Sequence, residues 1–369
     1  MVQIEREIHK KMSIVKAFIR ADASDQMGTG HIGRDLALAE GFKSRGIQPE
    51  FICRALKGNL ISSLENKGLK VHVLPSGVKK NDSAHLFHSH WLETTQNRDA
   101  QETLKILTSS QGKSILVVDH YGLDQKWEAQ LKPHCQKLVV IDDLADRSHD
   151  CDFLIDQNFH RNQDQRYENL VAKQCNRLLG PAYALLRSEF SKVKRQEKSS
   201  IRHILVFMGG IDLAGDTVRV LKALRRIEKP FEKITVVIGA STPHRIEIEN
   251  LCKQDPLVTC LVGVSNMAEL MATNDMMISG GGSTTWERCC LGLPALVISV
   301  AENQRETSKF MAENGFQNYL GHTTDITEET ITNALDRALQ DPKKILEIGR
   351  RGMELVDGHG ISRILDQIS

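Results

Sequence analysis

The sequence predicts an α/β protein of two parallel-sheet units, and three observations carry that prediction. Short apolar runs of strand length recur along the chain, separated by helix-like stretches of about 10 to 15 residues, which is the spacing of βαβ units. The runs form two series on either side of a polar, cation-rich segment, Ser191 to His203, which reads as a solvated linker. Each series contains a glycine-rich loop directly after a strand. A chain of 369 residues accommodates two domains of about 150 residues, each large enough to bury its own core.

In chain order, the first series places strands at Ile14 to Ile19, Glu50 to Arg54, Leu69 to Leu74, Ser114 to Asp119, Leu138 to Ile141 and Asp152 to Ile155. The second places them at His203 to Met208, Lys233 to Ile238, Val258 to Val262, Met276 to Ser279 and Ala295 to Val300. The expected domains are residues 13–190, residues 201–345 and a helical tail over 346–369, with 1–12 left unassigned.

Charge and hydropathy exclude several classes. With 48 Lys plus Arg against 47 Asp plus Glu, the net charge is +1, which supplies no global field for a nucleic acid or an anionic membrane. The longest apolar runs, such as Ala295 to Ala301, are strand-sized and far short of the roughly 18 to 20 residues that span a bilayer. Glu5, Glu7 and His9 interrupt the start, so no secretory signal is expected there. The expectations are therefore a cytoplasmic location, a small-molecule partner, no nucleic-acid or membrane partner, and a monomer. The eight cysteines are scattered without a C-x-x-C pair, fitting neither a disulfide scaffold nor a zinc knuckle.

The first glycine-rich loop, DASDQMGTGHIGRD, follows the first strand and leads into a helix marked by Leu36, Leu38, Ala39 and Phe42. Gly28, Gly30 and Gly33 match the letters of a dinucleotide fingerprint, but the second strand ends at Arg54 and Ala55 without the acid that would hold a ribose. A nicotinamide cofactor is therefore not expected. The loop does offer bare backbone at Gly28 and Gly30 and a helix start that favours negative charge. His31 sits at that start, where the helix dipole disfavours imidazolium and leaves a neutral ring able to accept a proton. Taken alone, His31 is an ordinary packed histidine. At the C-terminal end of a first strand, where open α/β sheets bind ligands, it becomes a candidate general base. Asp22 and Arg34 stand beside it in sequence, Arg34 as a candidate substrate contact.

The second loop, SGGGSTTWERCCLGLP, carries the strongest signal. Gly281, Gly282, Ser283, Thr284 and Thr285 combine bare N–H groups and hydroxyls at a helix start, which suits a diphosphate, and the P-loop lysine is missing. From the first turn of that helix, Glu287 is placed to accept both hydroxyls of a ribose, although a Glu there also simply complements the helix dipole. Gly209 and Gly210 form a further phosphate-facing turn after the first strand of this half.

Arranged in order, the blocks RADAS…GTGHIGRDLALA, VVDHYGLD, VIDDLADRSHDCDFLIDQN, GPAYALLRSEF, FMGGID, GGGSTTWERCCLGLPAL and AENQ resemble the UDP-2,4-diacetamido-2,4,6-trideoxy-β-L-altropyranose hydrolases of pseudaminic acid biosynthesis. The resemblance runs from about residue 14 to residue 310. It implies a GT-B-like fold, two Rossmann-like domains with parallel sheets facing across a cleft. It also implies hydrolysis at the anomeric carbon with inversion, releasing UDP and the free sugar, with no metal or other cofactor. The family's catalytic His falls on His31 and its nucleotide-binding Glu on Glu287. Its active-site Asn and the following Gln fall on Asn303 and Gln304, and the Tyr of the D-H-Y-G block on Tyr121.

Inverting hydrolysis of a sugar bond ordinarily uses two carboxylic residues. A UDP leaving group departs as a stable anion, so stabilisation of charge by the Gly281 to Thr285 helix start replaces the acid. Only a base is then required, and His31 is expected to supply it, with Asn303 and Tyr121 orienting the water or the sugar. The alternatives are an inverting UDP-sugar glycosyltransferase on the same fold and a nucleotide-sugar-binding protein without turnover. His85, His88, His90 and His120, with Asp119, suggest a metal, but their spacing supplies no tetrahedral set with supporting partners. Asp142, Asp143 and Asp146 read as turn formers and N-caps.

Overall fold

The computed structural model describes residues 16–77, 85–110, 112–228 and 231–369. They divide into two compact units, one comprising residues through Asn158 with Asn162–Leu185 and Ile361–Ser369, the other comprising Phe159–Arg161 and Leu186–Gly360.

In the first unit seven parallel strands are ordered β3-β2-β1-β4-β5-β6-β7. They are β1 (Lys16–Ala21), β2 (Gln48–Arg54), β3 (Lys70–Leu74), β4 (Ser114–Asp119), β5 (Lys137–Ile141), β6 (Phe153–Asp156) and β7 (Asn176–Leu179). The central strands are apolar on both faces, as a sheet covered by helices on each side requires. Ala17, Ile19 and Ala21 enter one core with Ile32, Leu38 and Phe42 of helix Gly30–Ser44. Phe18 enters the other with Leu107 and Trp127 from helices Gln96–Ser109 and Gln125–Leu131. Thr95 and Asp124 cap those two helices by accepting from the backbone N–H groups of Arg98 and Lys126.

The second unit repeats the plan with six strands ordered β10-β9-β8-β11-β12-β13. They are β8 (His203–Phe207), β9 (Lys233–Ile238), β10 (Val258–Val262), β11 (Met276–Gly280), β12 (Ala295–Ser299) and β13 (Asn318–His322). Val206, Val236, Ile278 and Ile298 pack against Val220 and Leu224 of helix Asp216–Leu224 and Leu335 of helix Glu328–Gln340. In both units the first strand lies beside the fourth, so the chain reverses its winding direction there and leaves a crevice at the strands' C-terminal ends.

The start expected at Ile14 lies outside the described residues, as does all of 1–12. The structure differs from the sequence reading at three places. Strands β7 and β13 were not anticipated. The segment read as a solvated linker is anchored, because the Arg195 guanidinium donates to the carbonyl oxygens of Asn274, Asp275 and Gly292. The tail expected over 346–369 is divided: helix Pro342–Leu355 belongs to the second unit, while the residues from Ile361 onward belong to the first.

Candidate active site

His31 is the second residue of helix Gly30–Ser44, directly after the glycine-rich turn that follows β1. Gly28 takes φ +76°, which a side chain would strain, and its N–H donates to the Ser24 carbonyl at 2.9 Å. A Cβ added at Gly28, Gly30 or Gly33 would meet nothing within 4 Å, so open space lies over this turn.

Helical spacing puts His31, Arg34 and Asp35 on one side of the helix, at i, i+3 and i+4. Asp119, at the end of β4, receives His31 and Arg34. Its Oδ1 lies 2.6 Å from His31 Nδ1, and Arg34 grips both its oxygens from Nε and Nη2 at 2.6 Å each. Burial pushes the Asp119 carboxyl upward, but Arg34 and His31 outweigh it and hold the group below the usual carboxylate range. A carboxylate cannot donate, so the proton between the pair sits on Nδ1, and the tautomer this pairing selects carries its lone pair on Nε2. The helix dipole is thus not the only field on His31, and the partner that fixes its tautomer is one the sequence reading passed over.

Asp143 is the second centre. It accepts from Arg34 Nη1 and Asn158 Nδ2, each at 3.2 Å, and from the Tyr121 hydroxyl. Burial first and Asp143 second push the Tyr121 phenol well above its ordinary value, so it stays protonated. The Tyr121 ring meets His31 edge-on, with centroids 4.6 Å apart. Tyr121 has its hydroxyl engaged by Asp143 and touches His31 through its ring. Arg34 is 7% exposed and gives its donors to Asp119 and Asp143, so it positions His31's partner. Asp35 is fully buried, neither of its oxygens has a hydrogen-bond partner among the described residues, and burial followed by Asp119 pushes its carboxyl well upward.

Asp22 lies apart from His31. It pairs with Arg20 at 2.8 Å and accepts from the Arg54 backbone N–H at 2.6 Å. That pair continues into a buried network in which Asp99 binds Arg20, Arg54 and Trp127. Asp142 accepts from the Ala145 backbone as a turn former and pairs with Arg147 at 2.8 Å. Among the described residues no three His, Cys, Asp or Glu side chains gather as a metal-holding group; His85, for example, is engaged by Asp124 at 3.0 Å.

The second unit holds the other predicted residues. Gly281 and Gly282 follow β11, Ser283 is exposed at the N-cap, and helix Thr284–Cys290 begins with both its threonines buried. A Cβ at Gly281 would lie 2.6 Å from Ser308 Oγ, so a side chain there would displace that hydroxyl. Gln304 lies over the same turn: its Oε1 accepts from the Val300 N–H at 3.0 Å, and its Nε2 is 3.6 Å from where a Gly282 Cβ would be. Glu287 stands in the first helical turn with Arg187 at 3.6 Å. Burial pushes its carboxyl upward, and Arg187 opposes that shift. Asn303 is exposed in the 3-10 turn Glu302–Gln304 and close in sequence to the glycine turn's partner Gln304. Gly209 has φ +103° with open space above it, and the Gly210 carbonyl lies against Gly239, where a Cβ would clash at 1.7 Å. The structure therefore gathers Gly28, Gly30, His31, Arg34 and Tyr121 in the first unit. In the second it gathers Gly281 to Thr285 with Gln304, and Gly209 with Gly210 follow the neighbouring strand β8.

Residues 204–357 match the glycosyltransferase family 28 C-terminal domain. The chain is 24% identical over 303 residues to UDP-2,4-diacetamido-2,4,6-trideoxy-beta-L-altropyranose hydrolase of Campylobacter jejuni, a match that covers 82% of this chain and 98% of that protein. It is 26% identical over 352 residues to the spore coat polysaccharide biosynthesis protein SpsG of Bacillus subtilis, covering 94% of this chain and 95% of that one. An uncharacterized Methanocaldococcus jannaschii protein is 26% identical over 301 residues, 79% of this chain, and the match spans only 57% of that protein's length. Among solved structures, MurG of Acinetobacter baumannii superposes with a TM-score of 0.63 at 13% identity, covering 96% of this chain and 99% of that one. Two parallel-sheet units of this kind constitute a GT-B fold. No helix among the described residues is long and apolar enough to cross a membrane.

Proposed function

We propose that this protein hydrolyses a UDP-sugar at its anomeric carbon, and that the sugar is 2,4-diacetamido-2,4,6-trideoxy-β-L-altropyranose. The observation that carries the reading is the His31–Asp119 pair, which holds the shared ring proton on Nδ1 and leaves Nε2 to act as the base at the glycine-rich end of the first sheet. A role in nucleotide-sugar processing is supported by the C. jejuni and B. subtilis relatives and by the family 28 match over the second unit.

In this reading His31 Nε2 takes a proton from water as the water oxygen bonds to C1, and the C1–O bond to UDP breaks with its electron pair leaving on the diphosphate. Attack from the face opposite UDP inverts the configuration. Asp119 stabilises the imidazolium that forms, and Arg34 keeps Asp119 anionic and in place. N–H groups at the Gly281 to Thr285 turn meet the departing oxygens, with Gly209 and Gly210 as a further phosphate-facing turn, and Glu287 holds the ribose hydroxyls. Gln304 supports the glycine turn, and Asn303 orients the water or the sugar. The reaction needs no metal ion, no redox cofactor and no partner beyond the small-molecule substrate.

The second reading is an inverting glycosyltransferase, which the family 28 match favours. Incubating the purified protein with the altropyranose UDP-sugar, without acceptor or metal, and measuring UDP and free sugar separates the two. Stoichiometric free sugar, with inverted anomeric configuration by proton NMR at early times, is the expected result. UDP release that waits for an added acceptor would establish the transferase instead.

A further inference from the structure

The proposed chemistry leaves one sequence feature unused, the HLFHSHW segment from His85 to Trp91. In the structure it brings aromatic rings to His31. Trp91, in the 3-10 turn Ser89–Leu92, stacks on Tyr121 with centroids 5.7 Å apart and ring planes 28° apart, and meets His31 edge-on at 6.3 Å. His88 lies 4.2 Å from the Trp91 ring and 5.4 Å from Tyr121. Phe87 packs edge-on against His88 at 4.9 Å and is itself 81% exposed. The segment is held close to the turn after β4, because a Cβ at Gly122 would come within 3.2 Å of the His88 carbonyl.

Two details distinguish this cluster from ordinary core. Trp127 and Trp286 are 0% and 1% exposed, whereas Trp91 is only partly buried, and a Phe as exposed as Phe87 carries an energetic cost in water. Among the described residues the buried Nδ1 of His88 also has no hydrogen-bond partner, a cost that a ligand donor or acceptor would remove. Burial lowers the basicity of His88, which favours a neutral ring able both to donate and to accept. A partly exposed indole and an exposed phenyl ring beside a neutral polar ring suit the C–H face of a sugar, whose acetamido methyl and deoxy carbons add apolar surface. They do not suit a diphosphate.

We propose that Trp91, flanked by His88 and Phe87, is a stacking platform for the sugar of the substrate, selecting acylamino and deoxy sugars and holding them against His31. The inference rests on His31 being the base of a sugar-nucleotide reaction. Its test is tryptophan fluorescence of the full chain titrated with UDP, with UDP-N-acetylglucosamine and with the altropyranose UDP-sugar, in wild type and Trp91→Phe, together with steady-state kinetics of Trp91→Ala. The sugar nucleotides should quench the wild type and UDP alone should not, and the quench should vanish in Trp91→Phe. Trp91→Ala should raise KM about tenfold, the usual scale of one aromatic contact, with the inhibition constant of UDP unchanged. A Trp91-dependent quench without release of free sugar supports the platform while removing the hydrolase reading. A quench unaltered in Trp91→Phe, or absent with both sugar nucleotides, or a KM unaltered in Trp91→Ala overturns the platform and leaves that reading standing.

Discussion

The chemistry at the scale of single residues turns on one lone pair. Removing it in His31→Ala should lower kcat by about 10² to 10⁴, the usual worth of a general base, while leaving UDP affinity nearly intact. Asp119→Asn probes the same lone pair from behind. Arg34 donates to both Asp119 oxygens, so an amide there sets its NH2 against one of those donors, loosens the pair, and removes the negative charge that stabilises the imidazolium formed on His31. A fall in kcat of roughly 10² or more with unchanged KM is expected; turnover within a few-fold of wild type would dismiss Asp119 as the orienting group. Glu287→Ala should instead weaken UDP binding, read by calorimetry, and normal affinity in that variant would remove Glu287 from the ribose. His31 and Glu287 were legible in the sequence because glycine-rich turns mark where ligands approach backbone. Asp119 was not, because its partnership crosses 88 residues of sequence and exists only once β4 lies beside β1. The strand order common to doubly wound sheets already implied that adjacency, and an acid ending the fourth strand was the available signal.

Whole elements were legible where they were apolar on both faces. β4 reads SILVVD and is buried throughout, and its bounds match the reading. β7 and β13, reading NRLL and NYLGH, are partly exposed edge strands without an apolar run, so neither period nor composition marks them, and only the neighbouring strand makes them strands. Buried ion pairs between elements were equally hidden. Helix Gln125–Leu131 is tied to the loop after β5 through His149, whose Nδ1 lies 2.7 Å from Glu128 and whose Nε2 lies 3.7 Å from Asp142. Burial alone would lower this imidazole, but Glu128 and Asp142 raise it from 6.5 to about 9. A raised value in the fold means that the pair's stabilisation is fully present below about pH 6.5 and is lost as pH rises through about 9. Its size is on the order of 3 kcal/mol. Urea unfolding at pH 6 and at pH 9.5 should show that loss in the wild type, and His149→Gln should flatten it. An undiminished pH dependence in the variant would assign it to other groups.

Over the whole molecule, the path of the chain does not follow the division into units. The chain leaves the first unit after Leu185, builds the second through Gly360 and returns for its last nine residues. The returning helix Gly360–Ile368 places Ile364, Leu365 and Ile368, at most 1% exposed, in the core of the first unit. The fit is close enough that a Cβ at Gly41 would clash with Ile361 and Leu365. Three fully buried aliphatic side chains contribute roughly 1.5 to 3 kcal/mol each. Their sum is comparable to the roughly 5 to 15 kcal/mol that holds an ordinary domain together. A chain ending at Gly360 should therefore lose the first unit's stability although none of that unit's strands is touched. Hydrogen exchange resolved by peptide should show amide protection lost across β1 to β7 and kept across β8 to β13, with UDP still binding by calorimetry. Sugar release should vanish at the same time, because His31 stands on the destabilised unit. If β1 to β7 keep their protection in the shortened chain, the terminal helix is a surface addition, and the first core is complete without it.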